Sequence, residues 1–174
     1  CAEAFVGTDP FAVLLGDTII ESETPLTGQL ALDYERLQQP VVALQQVQLS
    51  IAHRYGVFVG QPVSERVYKA TALVEKPAKD NIPSNLVFSG RYVLTADIFD
   101  CIRNTPAGVN NEVQLTDAMR LLMQQRDLYG HLFDGVRHDV GNKLDFIKTN
   151  LLLGLKRPDT GPELKEWLSG LLKN

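Results

Sequence analysis

Glu75 and Lys76 set a carboxylate and an ammonium side by side, after the apolar run Ala70-Thr71-Ala72-Leu73-Val74 and before Pro77. A carboxylate accepts the hydroxyls of a sugar and a cation holds a phosphate, so this step suits a sugar phosphate. Neighbouring side chains on a strand point to opposite faces; the two can share a ligand only where the strand is ending, and Pro77 ends it. The ordinary alternative is a solvated acid–base pair at a strand end. A further acid, Asp17, follows the apolar residues 11–15 and Gly16. Ligands of open α/β sheets sit just outside the carboxyl ends of strands, and Mg²⁺ takes hard oxygens, few of them from protein. Asp17 is thus either placed for a magnesium–phosphate unit or starts a turn. Lys143, just after Gly141-Asn142, either reaches a phosphate or stays a solvated helix lysine.

The elements that must position these residues follow from periodicity and punctuation. Residues 11–15 read as a strand buried on both faces of a largely parallel sheet. Thr24-Pro25 reads as N-cap and N1 of a helix running to about Gln39, with Leu26, Leu30, Tyr34 and Leu37 facing the sheet. Residues 41–47 form the next strand, Gly56 opens another, and 61–65 make a hairpin-like link into the strand that ends at Glu75. A polar excursion over 78–83 returns the chain into a strand that holds Gly90. Thr95 caps a short helix through Ile102, Thr105-Pro106-Ala107-Gly108 breaks it, and the loop continues through Asn110-Asn111. Thr116-Asp117 opens a helix whose core face is Leu115, Met119, Leu122 and Met123. Residues 128–133 and 136–139 read as a pair of strands turned at Asp134-Gly135. Residues 144–156 continue as a helix with Phe146, Ile147, Leu151 and Leu155 on its apolar face. The linker 157–162 leads to an amphipathic helix over 162–173, striped by Leu164, Trp167, Leu168, Leu171 and Leu172. That helix packs on its own domain or on another subunit. The domain reading is 1–157 as a partial α/β domain and 158–174 as a C-terminal helix.

The totals narrow the class. At 174 residues, 44% hydrophobic and 22% charged, the chain has the balance of one globular domain or part of one. A net charge of −4 argues against nucleic acid or an anionic membrane as partner. No apolar run is long enough to span a bilayer, and the opening residues carry no basic n-region. Cys1 and Cys101 make neither a disulfide framework nor a metal-ligand spacing, and Cys101 among apolar neighbours reads as a small core residue. These features point to the cytoplasm. The chain begins at Cys1 rather than Met, so upstream residues are expected to be missing or the reading frame starts late.

The stretch from Glu75 through Pro83-Ser84-Asn85-Leu86 to Gly90-Arg91-Tyr92-Val93-Leu94 resembles the bacterial UTP–glucose-1-phosphate uridylyltransferases, also called UDP-glucose pyrophosphorylases. Three more segments fit in the same order: Phe11-Ala12-Val13-Leu14-Leu15-Gly16-Asp17, Asn111-Glu112-Val113-Gln114-Leu115-Thr116-Asp117-Ala118, and His138-Asp139-Val140-Gly141-Asn142-Lys143-Leu144. The resemblance covers nearly the whole chain, but only the larger, C-terminal part of such an enzyme. It implies an α/β fold, a mixed and mainly parallel sheet flanked by helices, Rossmann-like, truncated at the N-terminus. It also implies Mg²⁺ as cofactor, with Asp17 a ligand and Asp139, at the end of its strand, a second ligand lying near Asp17. Family members often carry cysteine where this chain has Val140, a change that removes no ligand.

In the complete enzyme, glucose 1-phosphate attacks the α-phosphorus of UTP to give UDP-glucose and pyrophosphate. The resemblance implies that Lys76 holds the sugar phosphate in line, that Glu75 accepts glucose hydroxyls, and that Gly56 and Gly90 let backbone approach the ring. Lys143 keeps both of its readings, a phosphate contact or a solvated helix lysine. The family's glycine-rich nucleotide loop and its uracil-reading residues are not found in these 174 residues. The expectation is therefore a chain that binds glucose 1-phosphate or UDP-glucose, and UTP only with the N-terminal part present. Whether this chain alone is an enzyme stays open at this point; the alternative is an inactive remnant serving as a stand-alone binding or oligomerising unit. A homo-oligomer is expected.

Overall fold

Strong punctuation and periodicity give the element order α1 (Glu3–Val6), β1 (Phe11–Leu14), β2 (Thr18–Glu21), α2 (Leu26–Leu37), β3 (Val41–Gln46), α3 (Leu49–Ala52), β4 (Gly56–Pro62), β5 (Val67–Glu75), β6 (Leu86–Leu94), α4 (Ile98–Asn104), α5 (Leu115–Leu122), β7 (Tyr129–Leu132), β8 (Val136–Asp139), α6 (Lys143–Lys156) and α7 (Gly161–Leu171). The computed structural model describes residues 2–108 and 111–171. Cys1, Asn110, Leu172 and Lys173, which entered the expectations above, lie outside the described residues. The chain divides into a larger unit, Cys1–Leu15 with Glu21–Gly135, and a smaller one, Gly16–Ile20 with Val136–Asn174. This division differs from one at residue 157, because α6 stays with α7.

The larger unit is built on a six-stranded sheet in the order β1-β6-β3-β7-β5-β4, with β4 pairing back to β6 through Val57↔Val87 and Phe58↔Leu86. The sheet is mixed and flanked by helices, as expected. Its parallel share is smaller than expected: β3–β7 runs parallel, while β1–β6, β3–β6, β4–β5, β4–β6 and β5–β7 run antiparallel. Val41, Val42, Ala43 and Leu44 of β3 are all sealed from solvent. Alternation sends Val42 and Leu44 to the face where Ile98 of α4 and Met119 and Leu122 of α5 pack. Ala43 shares the other face with its parallel partner His131, whose ring meets Asp33 of α2. Fully burying Phe58, Met119 or Leu122 contributes about 2 kcal/mol each.

Several expectations are corrected. β1 is an edge strand pairing only with β6 among the described strands, and one of its two faces is covered: Phe11 and Val13 pack on the core while Leu14 is 55% exposed. Residues 128–133 and 136–139 do not form a hairpin; β7 pairs with β3 and β5, and β8 pairs with β2. Helix α2 starts one residue later than expected, with Pro25 at its N-cap position; Thr24 makes no cap and instead offers its carbonyl to the Gln29 amide at 2.7 Å. Helix α4 starts at Ile98, with Thr95 bonded to the Asp97 carboxylate.

The smaller unit holds the β2–β8 pair and the helices α6 and α7. Helix α6 begins where expected: Asn142 accepts a hydrogen bond from the Asp145 N–H at 3.0 Å, an N-cap. Its apolar face is another correction, since Phe146 and Ile147 are exposed while Leu151 and Leu155 are half-buried. On α7, Leu164 touches Gly154 of α6 and Leu168 is half-buried, but Trp167 and Leu171 are exposed. Own-unit packing thus uses one side of the α7 stripe.

Candidate functional site

In the larger unit, β5 ends at Glu75, opposite Gly56 at the start of β4. A side chain at Gly56 has no room: its Cβ would fall 2.5 Å from Phe88 Cδ2 and 2.9 Å from Glu75 Oε2. The pairing of β4 with β6 is what brings Phe88 to this corner. Glu75 is mostly covered, its side chain 14% exposed. Its Oε2 accepts a hydrogen bond from the Thr116 hydroxyl at 2.6 Å, and its Oε1 lies 3.7 Å from Lys76 Nζ.

Lys76 has φ 43°, the left-handed region that costs a non-glycine residue about 1 kcal/mol. Its N–H donates to the Tyr55 carbonyl at 3.2 Å, holding the turn. This reversal lets neighbours destined for opposite faces of a strand approach each other, so Glu75 and Lys76 do come together. Gly90 also has positive φ, 68°, within a bulge where the β3–β6 register shifts between Val42 and Leu44. Its carbonyl accepts from the Leu15 N–H at 3.0 Å and the Arg91 guanidinium at 2.8 Å.

In the smaller unit, Asp17 stands just before β2 and Asp139 ends β8. The Val140 N–H donates to the Asp17 carbonyl at 2.8 Å, and the Gly141 N–H donates to Asp139 Oδ1 at 3.1 Å. A Cβ placed on Gly141 would lie 3.3 Å from Asp139 Oδ1 and 3.3 Å from Asp17 Oδ2. Two carboxylates from distant parts of the chain therefore converge on the space that glycine leaves open. That donor set fits Mg²⁺, which takes one or two carboxylates and completes its shell with phosphate and water. No group of three or more His, Cys, Asp or Glu able to hold a metal occurs among the described residues. Lys143 is exposed at the first position of α6.

Thr116 was missed by sequence reading, because a Thr-Asp step before an apolar periodicity signals only a helix start. A cavity of about 680 Å³ in the larger unit is lined by Ser22, Thr24, Gln29, Arg66 and Asp134 among others, and by none of the expected site residues. The Glu75 corner remains the better candidate, since a held carboxylate beside a cation has defined chemistry.

The family model described as nucleotidyl transferase matches residues 1–154. The chain belongs to the nucleotidyl transferase family. It is 44% identical over 170 residues to a UTP–glucose-1-phosphate uridylyltransferase of Staphylococcus haemolyticus, covering 98% of this chain and 59% of that protein. Among solved structures it is similar to a UDP-glucose pyrophosphorylase complexed with UDP-glucose, at 37% identity and TM-score 0.85, over 90% of this chain and 60% of the other. It is also similar to a UDP-glucose pyrophosphorylase from Acinetobacter baumannii, at 33% identity and TM-score 0.86, over 98% and 60%. The chain thus spans about three-fifths of the length of these relatives. No helix of the described residues is long and apolar enough to cross a membrane.

Proposed function

We propose that this chain carries the sugar-phosphate and metal side of a UTP–glucose-1-phosphate uridylyltransferase, whose complete form converts UTP and glucose 1-phosphate to UDP-glucose and pyrophosphate. The observation that carries this reading is the convergence of Asp17 and Asp139 on Gly141, in a chain 44% identical to such an enzyme. Asp17 and Asp139 would hold Mg²⁺. When bound, the ion supplies neutralisation of phosphate charge as pyrophosphate departs. Glu75 accepts glucose hydroxyls through the oxygen that Thr116 leaves available. Lys76, its side chain 48% exposed, grips the sugar phosphate. Gly56 and Gly90 keep the backbone bare beside the ring, and Lys143 reaches a phosphate. No general base is needed, because the attacking phosphate oxygen is already anionic; catalysis rests on placing it in line. The setting proposed with this reading is a cytoplasmic homo-oligomer, with neither nucleic acid nor membrane as partner.

Calorimetric titration of UDP-glucose in the presence of Mg²⁺ tests the assignment. Glu75→Ala and Lys76→Ala should each weaken binding about ten-fold or more, the order expected for a charge-assisted contact. Unchanged affinity in both variants refutes it.

A further inference from the structure

We infer that Thr116 is a positioning residue that fixes which oxygen of Glu75 meets the sugar, and so helps set which hydroxyl pattern the site accepts. The inference rests on the reading of Glu75 as the sugar-binding carboxylate. Thr116 occupies the second position of α5 and is 6% exposed. Its hydroxyl donates to Glu75 Oε2 at 2.6 Å across a wide gap in the sequence. Burial leaves the Thr116 side chain little room to turn, and the bond to Glu75 holds it, so the donor sits at a fixed point. Gly56, paired opposite Glu75, carries no side chain, and an added Cβ there would crowd both Oε2 and the Phe88 ring, so the bond to Thr116 forms beside space that glycine keeps open.

Oε2 thus already accepts a hydrogen bond from within the protein. Oε1, on the side of Lys76 Nζ, is the oxygen left for a ligand. A carboxylate free to rotate presents two equivalent oxygens and tolerates several hydroxyl arrangements. A carboxylate pinned at one oxygen presents the other along one direction, and a site built that way penalises an analogue whose hydroxyl is missing or turned away, because a buried polar group is then left unpaired.

The test uses the 174-residue chain, calorimetry, and glucose 1-phosphate with its 2-deoxy, 3-deoxy and 4-deoxy analogues. In the unmodified chain one analogue should bind distinctly worse than glucose 1-phosphate. Thr116→Val keeps the shape and removes the donor; it should weaken glucose 1-phosphate about ten-fold and shrink the penalty against that analogue. Thr116→Ser restores the donor and should restore both. A general loss of fold would lower all four ligands alike and would not be rescued by serine, so that pattern overturns the inference. So does an unchanged deoxy penalty in Thr116→Val while Glu75→Ala abolishes it. If Glu75→Ala itself leaves binding and the penalty unchanged, the sugar-binding reading of Glu75 fails, and this inference with it.

Discussion

Replacing Gly141 by alanine isolates the proposed metal pair from the rest of the protein. Gly141 does not have a positive φ, so its backbone accepts alanine without strain. The methyl carbon would sit 3.3 Å from both Asp17 Oδ2 and Asp139 Oδ1, closer than such contacts ordinarily settle. Each carboxylate must then retreat by a few tenths of an ångström. Mg²⁺ holds its ligands at about 2.0–2.1 Å in near-ideal octahedral geometry, and workable sites keep within about 0.2 Å of such distances. A displacement of that size in two ligands at once exceeds the tolerance. Loss of metal affinity should be about 10- to 100-fold, the range seen when supporting groups of metal sites are altered. Folding stability should change by less than about 1 kcal/mol, because glycine-to-alanine exchange at a compatible backbone mainly lowers unfolded-state entropy. Electron paramagnetic resonance of free Mn²⁺, used in place of Mg²⁺, measures the affinity directly, with Asp17→Asn as reference. Equal Mn²⁺ affinity in Gly141→Ala, where Asp17→Asn has lost it, refutes the convergence argument. Unchanged affinity in both removes the metal assignment itself.

Gly56→Ala should cost about 1–3 kcal/mol by urea unfolding, since its Cβ falls 2.5 Å from Phe88 Cδ2 and the ring must move; the same variant should weaken glucose 1-phosphate binding through Glu75. Asn142→Ala removes the side-chain cap on the Asp145 N–H and should cost about 1 kcal/mol in a thermal melt, with Asn142→Ser largely retaining it. Burial pushes the Cys101 thiol above its ordinary range, with Asp97 and Asp100 adding to the shift. A raised folded-state value means that the stability contribution is whole below the unfolded-state value and is lost as pH rises through the folded one. Urea midpoints of the native chain should therefore fall in the alkaline range, and that fall should be smaller in Cys101→Ala.

Much of the larger unit was legible locally. Pro77 stops β5 because it fixes φ and lacks a donor, and the Met119 and Leu122 spacing marks the buried face of α5. In the smaller unit, Asn142 opens α6 by a bond spanning three residues. Signals of this kind act within a turn or two of chain, and they survive into the fold. The failures share one cause. Residues 11–15 looked buried on both faces because an apolar run records what each residue prefers, not what packs on each face. Asp134-Gly135 looked like a hairpin turn because turn chemistry does not name the partner strand. The apolar face of α6 was legible as a periodicity, but periodicity does not say that a neighbour covers it.

Sequence by itself determined where most strands and helices start and stop, and it singled out Glu75, Lys76 and Asp17 as acids and a cation at strand ends. Only tertiary structure decided that a buried threonine from α5 takes one oxygen of Glu75, and that a left-handed turn at Lys76 brings its ammonium back toward the other. The same holds for Asp17 and Asp139, which meet at a glycine with no side chain to keep them apart. Local preferences cost little to satisfy and are written in adjacent residues; convergence of distant groups depends on how the whole chain closes, which no short stretch records.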